Sequence, residues 1–204
     1  LSYFSIIPVF VKNMEINNET YKYTLVLLPL VGAILASLVI GLNLGLNEFF
    51  NPLYSAFVCG IVYLALYGFI HTEAIIDVVD AWFASYSGKD AYKIMKESTI
   101  GAIGALYGVA FVLLKVGIIT YVLYEKQYVL FFIVCIFSRL NLIYLLGYFK
   151  FSKDSFLSLA FEHGGIFQLK VFALIYVILA FIIGSNVLVL FGLSLLSFYI
   201  ILKI

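Results

Sequence analysis

Charge is scarce in this chain. Only 11% of its 204 residues are Asp, Glu, Lys or Arg, where a soluble domain carries about 25%. The formal net charge is +1. No basic field exists to hold DNA or RNA, so a nucleic-acid partner is excluded. Cysteine is equally thin. Cys59 and Cys135 are the two in the chain, both inside apolar runs and in no motif. Two are too few for a disulfide scaffold or a zinc site, and they leave the redox compartment undefined. Internal repeats and low-complexity tracts are missing too. What is plentiful is apolar surface: 65% hydrophobic residues and a mean hydropathy of +1.14. A soluble domain runs at about 45–50% apolar. An ordinary soluble domain and a disordered tail are thereby excluded. The expected fold is all-α: a polytopic membrane helical bundle forming a single integral-membrane domain over residues 1–204.

A bilayer core of roughly 30 Å needs about 20 apolar residues per helix. Thr24–Leu46 and Leu53–Ile70 are uncharged and fit. Thr99–Tyr124 carries only Lys115, and Gln127–Phe149 only Arg139. From Lys170 the chain runs uncharged to Leu202, room for two short helices around a Gly184-Ser185-Asn186 turn. The expected count is about six spans. Leu1 to Phe10 is apolar but too short to span, and reads as an interfacial or re-entrant stretch. Leu1 stands where a Met would open a chain, so a few residues are expected upstream. Val11–Tyr23 is polar and reads as a loop at the membrane surface.

Lys and Arg set the orientation. With six spans, one side holds Lys12, Lys22, Lys89, Lys93, Lys96, Lys150, Lys153, Lys170 and Lys203, and the other holds Lys126. The rich side is expected to be cytoplasmic, in the cell membrane. Segment 71–98 would then meet cytosolic nucleotides and metal ions.

That segment is where the charge gathers. Residues 73–97 hold eight of the charged residues: Glu73, Asp77, Asp80, Lys89, Asp90, Lys93, Lys96 and Glu97. Glu73, Asp77 and Asp80 stand at i, i+4 and i+7. At about 100° per residue they fall within about 60° of one another on a helix face. Stacked carboxylates repel, by a few tenths of a kcal/mol per pair in water. Within hydrocarbon each acid costs about 2.5–3.5 kcal/mol. A cation offsets such an arrangement. Hard oxygens on an open face suit Mg²⁺, which keeps its waters and binds through one or two carboxylates plus substrate phosphate. A solvated amphipathic helix lying on the membrane would show the same spacing, so both readings stand at this point.

Lys89, Lys93 and Lys96 repeat the spacing on an expected second helical stretch, Lys89–Ser98, after a turn at Ser87-Gly88. They make either a face for anionic lipid head groups or a clamp for phosphate. Gly101, Gly104 and Gly108 form a small-residue ridge that admits a neighbouring helix; Gly101 is alternatively a close approach of backbone N–H groups to phosphate. Arg139, the single Arg of the chain, sits mid-span, where a charge is paired or functional. Lys115 can snorkel. Glu162-His163-Gly164-Gly165 reads as a helix-end loop that could join the site.

Residues 70–104 resemble a known family. Ile70-His71-Thr72-Glu73-Ala74-Ile75-Ile76-Asp77-Val78-Val79-Asp80-Ala81 is similar to the H-x-D-G-x-x-D-x-x-D-G signature of the membrane cobalamin synthases, the adenosylcobinamide-GDP ribazoletransferases. Met95-Lys96-Glu97-Ser98-Thr99-Ile100-Gly101-Ala102-Ile103-Gly104 resembles their M-[KR]-D-S-x-[IL]-G-x-x-G element. Phe4-Ser5-Ile6-Ile7-Pro8, Pro29-Leu30-Val31-Gly32 and Ser138-Arg139 match in family order. Glu73 and Glu97 stand where the family has Asp, which keeps the charge and moves the oxygens by one methylene. Ala74 and Ala81 replace motif glycines and narrow the space beside the acidic helix. Ile6 and Ile7 stand where family members carry an Arg, and Thr99 where some do.

The resemblance implies a transferase that joins α-ribazole, or its 5′-phosphate, to adenosylcobinamide-GDP with loss of GMP. It implies that Glu73, Asp77 and Asp80 hold Mg²⁺ on the diphosphate, that Lys96 pairs with a phosphate, and that Arg139 steadies the leaving phosphate. His71, Glu97, Ser98 and Gly101 would line the substrate. Asp80 is a candidate acceptor of the hydroxyl proton. The substrates and membrane lipid are the expected partners, with the oligomeric state open. Other readings are a CDP-alcohol phosphotransferase-like enzyme, although D-G-x-x-A-R is missing before the acids; a cation channel or transporter with an acidic mouth, although inverted repeats are missing; and a purely structural membrane subunit.

Overall fold

The computed structural model describes residues 5–6, 27–96, 99–148 and the single positions 174, 178 and 196. Among the described residues every regular element is a helix. These are α1 (Leu28–Leu46), α2 (Pro52–Leu66), α3 (Ile70–Ser85), α4 (Ala91–Ile94), α5 (Ala102–Tyr124) and α6 (Tyr128–Tyr148). α1 and α5 are long and apolar enough to cross a membrane, and α2 with α3 makes a third crossing if the bent pair is one span. The expected spans at 24–46, 53–70, 99–124 and 127–149 thus each meet a helix. The expected final pair and its turn, the 150–170 segment with Glu162 and His163, and the loop at Val11–Tyr23 lie outside the described residues.

Local chemistry sets the boundaries. Asn51 caps α2, its side-chain oxygen accepting from the Leu53 N–H at 2.9 Å, and Pro52 follows in the first turn, where its missing N–H costs no hydrogen bond. α2 stops because Gly68 (φ 72) and Phe69 (φ 53) both turn left-handed. Gly68 N–H returns to the Ala65 carbonyl at 2.8 Å, and Phe69 N–H to that of Leu64 at 3.2 Å. The chain leaves this break as α3, bent by 75° from α2. The break falls two residues before Ile70, inside the stretch expected to be one continuous span.

The chain gathers into two compact units. One contains α1 as far as Gly41 together with α6. Its core is Val31, Leu35 and Val39 from α1 and Phe131, Ile133 and Ile136 from α6, all buried. Gly32 lets the backbones close: a Cβ there would lie 2.5 Å from the Cys135 carbonyl oxygen.

The second unit runs from Leu42 through α5 and includes Ser5 and Ile6, with Ile6 N–H donating to the Leu66 carbonyl at 2.8 Å. α5 is its spine, and α2 and α3 both pack on it. Gly60 of α2 meets Val116 and Thr120; Thr72 and Ile76 of α3 meet Gly108; Asp80 meets Gly104 and Gly101. Rising residue numbers on one side face falling numbers on the other, so the α2–α3 pair runs antiparallel to α5. Lipid is as apolar as these side chains, so close packing over small residues rather than burial from water drives the association.

The surface of this unit suits a bilayer. Leu106, Val109, Leu113, Leu114 and Ile118 of α5 are exposed. The 23 residues of α5 reach roughly 34 Å, against a hydrocarbon core of roughly 30 Å. Exposed aromatics cluster towards both ends: Trp82, Tyr86 and Tyr92 on one side, Phe49, Tyr54, Tyr121 and Tyr124 on the other. Such rings settle at membrane–water boundaries.

Candidate functional site

The acids sit on α3, which is helical throughout, so the i, i+4, i+7 spacing does put Glu73, Asp77 and Asp80 on adjoining strips of one face. Their environments differ. Glu73 is exposed, and Asp77 and Asp80 are half-buried. Asp80 turns towards α5. One carboxylate oxygen accepts the Gly101 N–H at 2.7 Å and the other accepts the Gly104 N–H at 2.8 Å. Gly101 has no side chain to cap its own helix, and Asp80 does so from across the interface. The side chains of Glu73 and Asp77 make no hydrogen bond or ion pair among the described residues.

Each ridge glycine has a reason. A Cβ on Gly101 or on Gly104 would run into the Asp80 carboxylate, and one on Gly104 would also stand 2.7 Å from the Ile76 carbonyl oxygen. A Cβ on Gly108 would stand 2.7 Å from the Ile76 side chain. Gly101 packs against a neighbouring helix, as the first of its two readings expects. Its N–H meets a carboxylate.

Between α3 and α5 the chain turns at Gly88 (φ 74), as the Ser87-Gly88 pair predicts. The helix expected over Lys89–Ser98 is a correction: among its described residues only Ala91–Ile94 is helical. Asp90 starts it, accepting from the Tyr92 N–H at 2.9 Å and the Lys93 N–H at 3.4 Å. Residues 99–101 carry no regular structure, and Gly101, at the start of α5, is extended (φ -77, ψ 155). Lys89, Lys93 and Lys96 therefore share no single continuous helix, although all three are exposed. The Lys96 ammonium lies 4.4 Å over the Tyr92 ring, a cation–π contact. Glu97 and Ser98 lie outside the described residues.

His71 opens α3 next to the break, its ring 5.7 Å from that of Tyr67. The Lys115 ammonium donates to the Tyr67 hydroxyl at 2.7 Å and lies 5.0 Å over the Phe111 ring. Tyr67 is a residue that the motif reading passes over. Its signal is its place four residues before His71, facing a lone mid-span Lys.

Arg139 belongs to the other unit. Its guanidinium donates to the Cys135 carbonyl at 3.1 Å and the Ser138 hydroxyl at 2.8 Å, and its stem passes within 3.0 Å of where a Gly32 Cβ would stand. Gly32 and Arg139, from two of the weaker motif matches, are thus neighbours.

Among the described residues no three His, Cys, Asp or Glu side chains come together as a metal-holding group. The donor chemistry still suits a hard cation on a smaller scale. Glu73 and Asp77 offer two carboxylates on an open face, and Mg²⁺ asks for one or two, completing its shell with water and phosphate.

Relatives bear on what this arrangement does. An adenosylcobinamide-GDP ribazoletransferase of Treponema denticola is 29% identical over 166 residues, 79% of this chain and 61% of that protein. The enzyme of the same description from Clostridium perfringens strain SM101 is 28% identical, covering 100% of this chain and 84% of that protein. One from Desulfitobacterium hafniense is 31% identical over 106 residues, 52% of this chain and 41% of that protein. The chain thus spans about three-fifths of the Treponema protein's length. No solved structure matches. The sequence profile described as cobalamin-5-phosphate synthase matches residues 1–204, and the chain belongs to that family.

Proposed function

We propose that this chain is a membrane transferase of cobalamin assembly. It joins α-ribazole, or its 5′-phosphate, to adenosylcobinamide-GDP and releases GMP. The observation that carries the reading is the family match along the whole chain, with Glu73 and Asp77 left open on α3. It favours this chemistry over the CDP-alcohol phosphotransferase-like, channel and structural readings.

In the reaction the ribazole hydroxyl oxygen bonds to the phosphorus attached to cobinamide. The bond from that phosphorus to the GMP oxygen breaks, and GMP leaves with the electron pair. Such transfers depend on positioning and on neutralising phosphate charge. Glu73 and Asp77 would hold Mg²⁺; bound there, the ion supplies Lewis-acid stabilisation of phosphate oxygens. The hydroxyl proton passes to solvent: Asp80 has both oxygens engaged by α5, and Glu73 and Asp77 would be engaged by the ion. Lys96 pairs with a substrate phosphate; Arg139, in the other unit, has its role towards the leaving phosphate from the family resemblance alone. His71, Glu97, Ser98 and Gly101 border the substrate, Gly101 through the packing that seats α3.

The reading also places the acidic helix on the cytoplasmic side of the cell membrane, in a bundle of about six spans. Lys89, Lys93 and Lys96 mark that side, and Trp82, Tyr86 and Tyr92 lie beside them. The test is GMP release by purified protein in detergent with adenosylcobinamide-GDP, α-ribazole and Mg²⁺. Release that requires both substrates supports the proposal. Ion flux in liposomes without GMP release supports the channel instead.

A further inference from the structure

We infer that Asp80 is a positioning residue: the third acid of the motif works as a latch between α3 and α5 and leaves metal binding to Glu73 and Asp77. The first amides of any helix lack intrahelical acceptors. A capping box satisfies the N-cap and N3 amides with two side chains near the helix start. Here one carboxylate, 21 and 24 residues away in sequence, makes both bonds, to Gly101 and to Gly104. The Gly101-x-x-Gly104 element and Asp80 are therefore one device, because a Cβ at either glycine would occupy the place of that carboxylate.

The latch fixes more than a helix end. With Asp80 held, Ile76 packs over Gly104 and Gly108, and Thr72 comes to Gly108. Three successive turns of α3 are then in register with α5, and α3 cannot roll about its axis. Asp77 and Glu73 lie on the strip beside this contact stripe. Their presentation to a ligand is set by a bond that neither of them makes. The same placement explains why the three acids form no joint cluster among the described residues.

The kinetic arm of the test rests on the proposed transferase reading; the exchange arm does not. Amide hydrogen exchange is followed at residues 99–105 in detergent-solubilised protein without metal or substrates. Asp80→Asn, which keeps one acceptor oxygen, and Gly101→Ala, which keeps every acid but displaces the carboxylate, should each speed exchange at this helix start by about tenfold or more. Asp77→Asn should leave it unchanged. In GMP release, Asp80→Asn and Gly101→Ala should lower kcat while the Mg²⁺ half-saturation stays at the wild-type value. Asp77→Asn should raise that half-saturation. Unchanged exchange in Asp80→Asn overturns the inference whatever the kinetics. So does a Mg²⁺ half-saturation that rises with Asp80→Asn as it does with Asp77→Asn. If wild-type protein releases no GMP, the transferase reading fails and the exchange result alone decides the latch.

Discussion

The Lys115 ammonium donates to the Tyr67 hydroxyl across 2.7 Å, joining the middle of α5 to the residue after α2. The bond sits beside the left-handed break at Gly68 and Phe69, so it braces the point where the chain bends towards the acids. Removing one partner of a charged hydrogen bond leaves the other without it, at a cost of about 1–3 kcal/mol. Removing the charge itself costs less. Tyr67→Phe should therefore lower the thermal midpoint in detergent more than Lys115→Met does. The double variant should be no worse than Tyr67→Phe alone. Equal and additive losses would show that the bond is not what matters.

Glycines on α5 should separate by what faces them. Gly117 has nothing within 4 Å of an added Cβ. Gly117→Ala should stabilise the helix by about 0.5–1 kcal/mol, the ordinary gain of Ala over Gly. Gly108→Ala forces methyl against Ile76 and should cost about 1–3 kcal/mol. Thermal unfolding of the two variants in one detergent gives the comparison, and a destabilised Gly117→Ala would contradict the packing described.

Glu73 and Asp77 should matter for turnover in ways that charge alone does not explain. Glu73→Gln and Asp77→Asn are each expected to lower GMP release by about 10²-fold or more, the range for losing one group that steadies transition-state charge. Chelation with EDTA should abolish release, and Mg²⁺ should restore it. Glu73→Asp restores the acid usual in the family and should retain activity. Release that is indifferent to EDTA would remove the metal from the account.

The side of the membrane can be read chemically. Ser87 is exposed at the turn before α4, while Gly88 beside it has φ 74 and tolerates a side chain poorly. A Ser87→Cys variant should react with a membrane-impermeant maleimide in inside-out vesicles and not in intact cells. Cys59 and Cys135 are buried and make a quiet background. Labelling from outside the cell would reverse the orientation given by the lysines.

Much of this was legible in the residues. Long apolar runs with at most one charge each located four helices, since a span of that length has no other way to satisfy its backbone in lipid. The Ser87-Gly88 turn and the glycine ridge followed from local sterics. The break at Gly68 and Phe69 was not legible, because Phe gives no sign of a left-handed φ. The single turn of α4 was missed because the lysine spacing alone favours a longer helix. Nor could spacing tell Asp80 from Asp77. Both are acids on one face, and only the helix opposite makes one a cap and leaves the other open.

The most direct test is to count products. Purified protein with adenosylcobinamide-GDP, α-ribazole and Mg²⁺ should yield one GMP for each new ribazole-bearing corrinoid, and Asp77→Asn should yield neither. Wild-type protein that forms no such corrinoid, or GMP that appears without ribazole, would contradict the account.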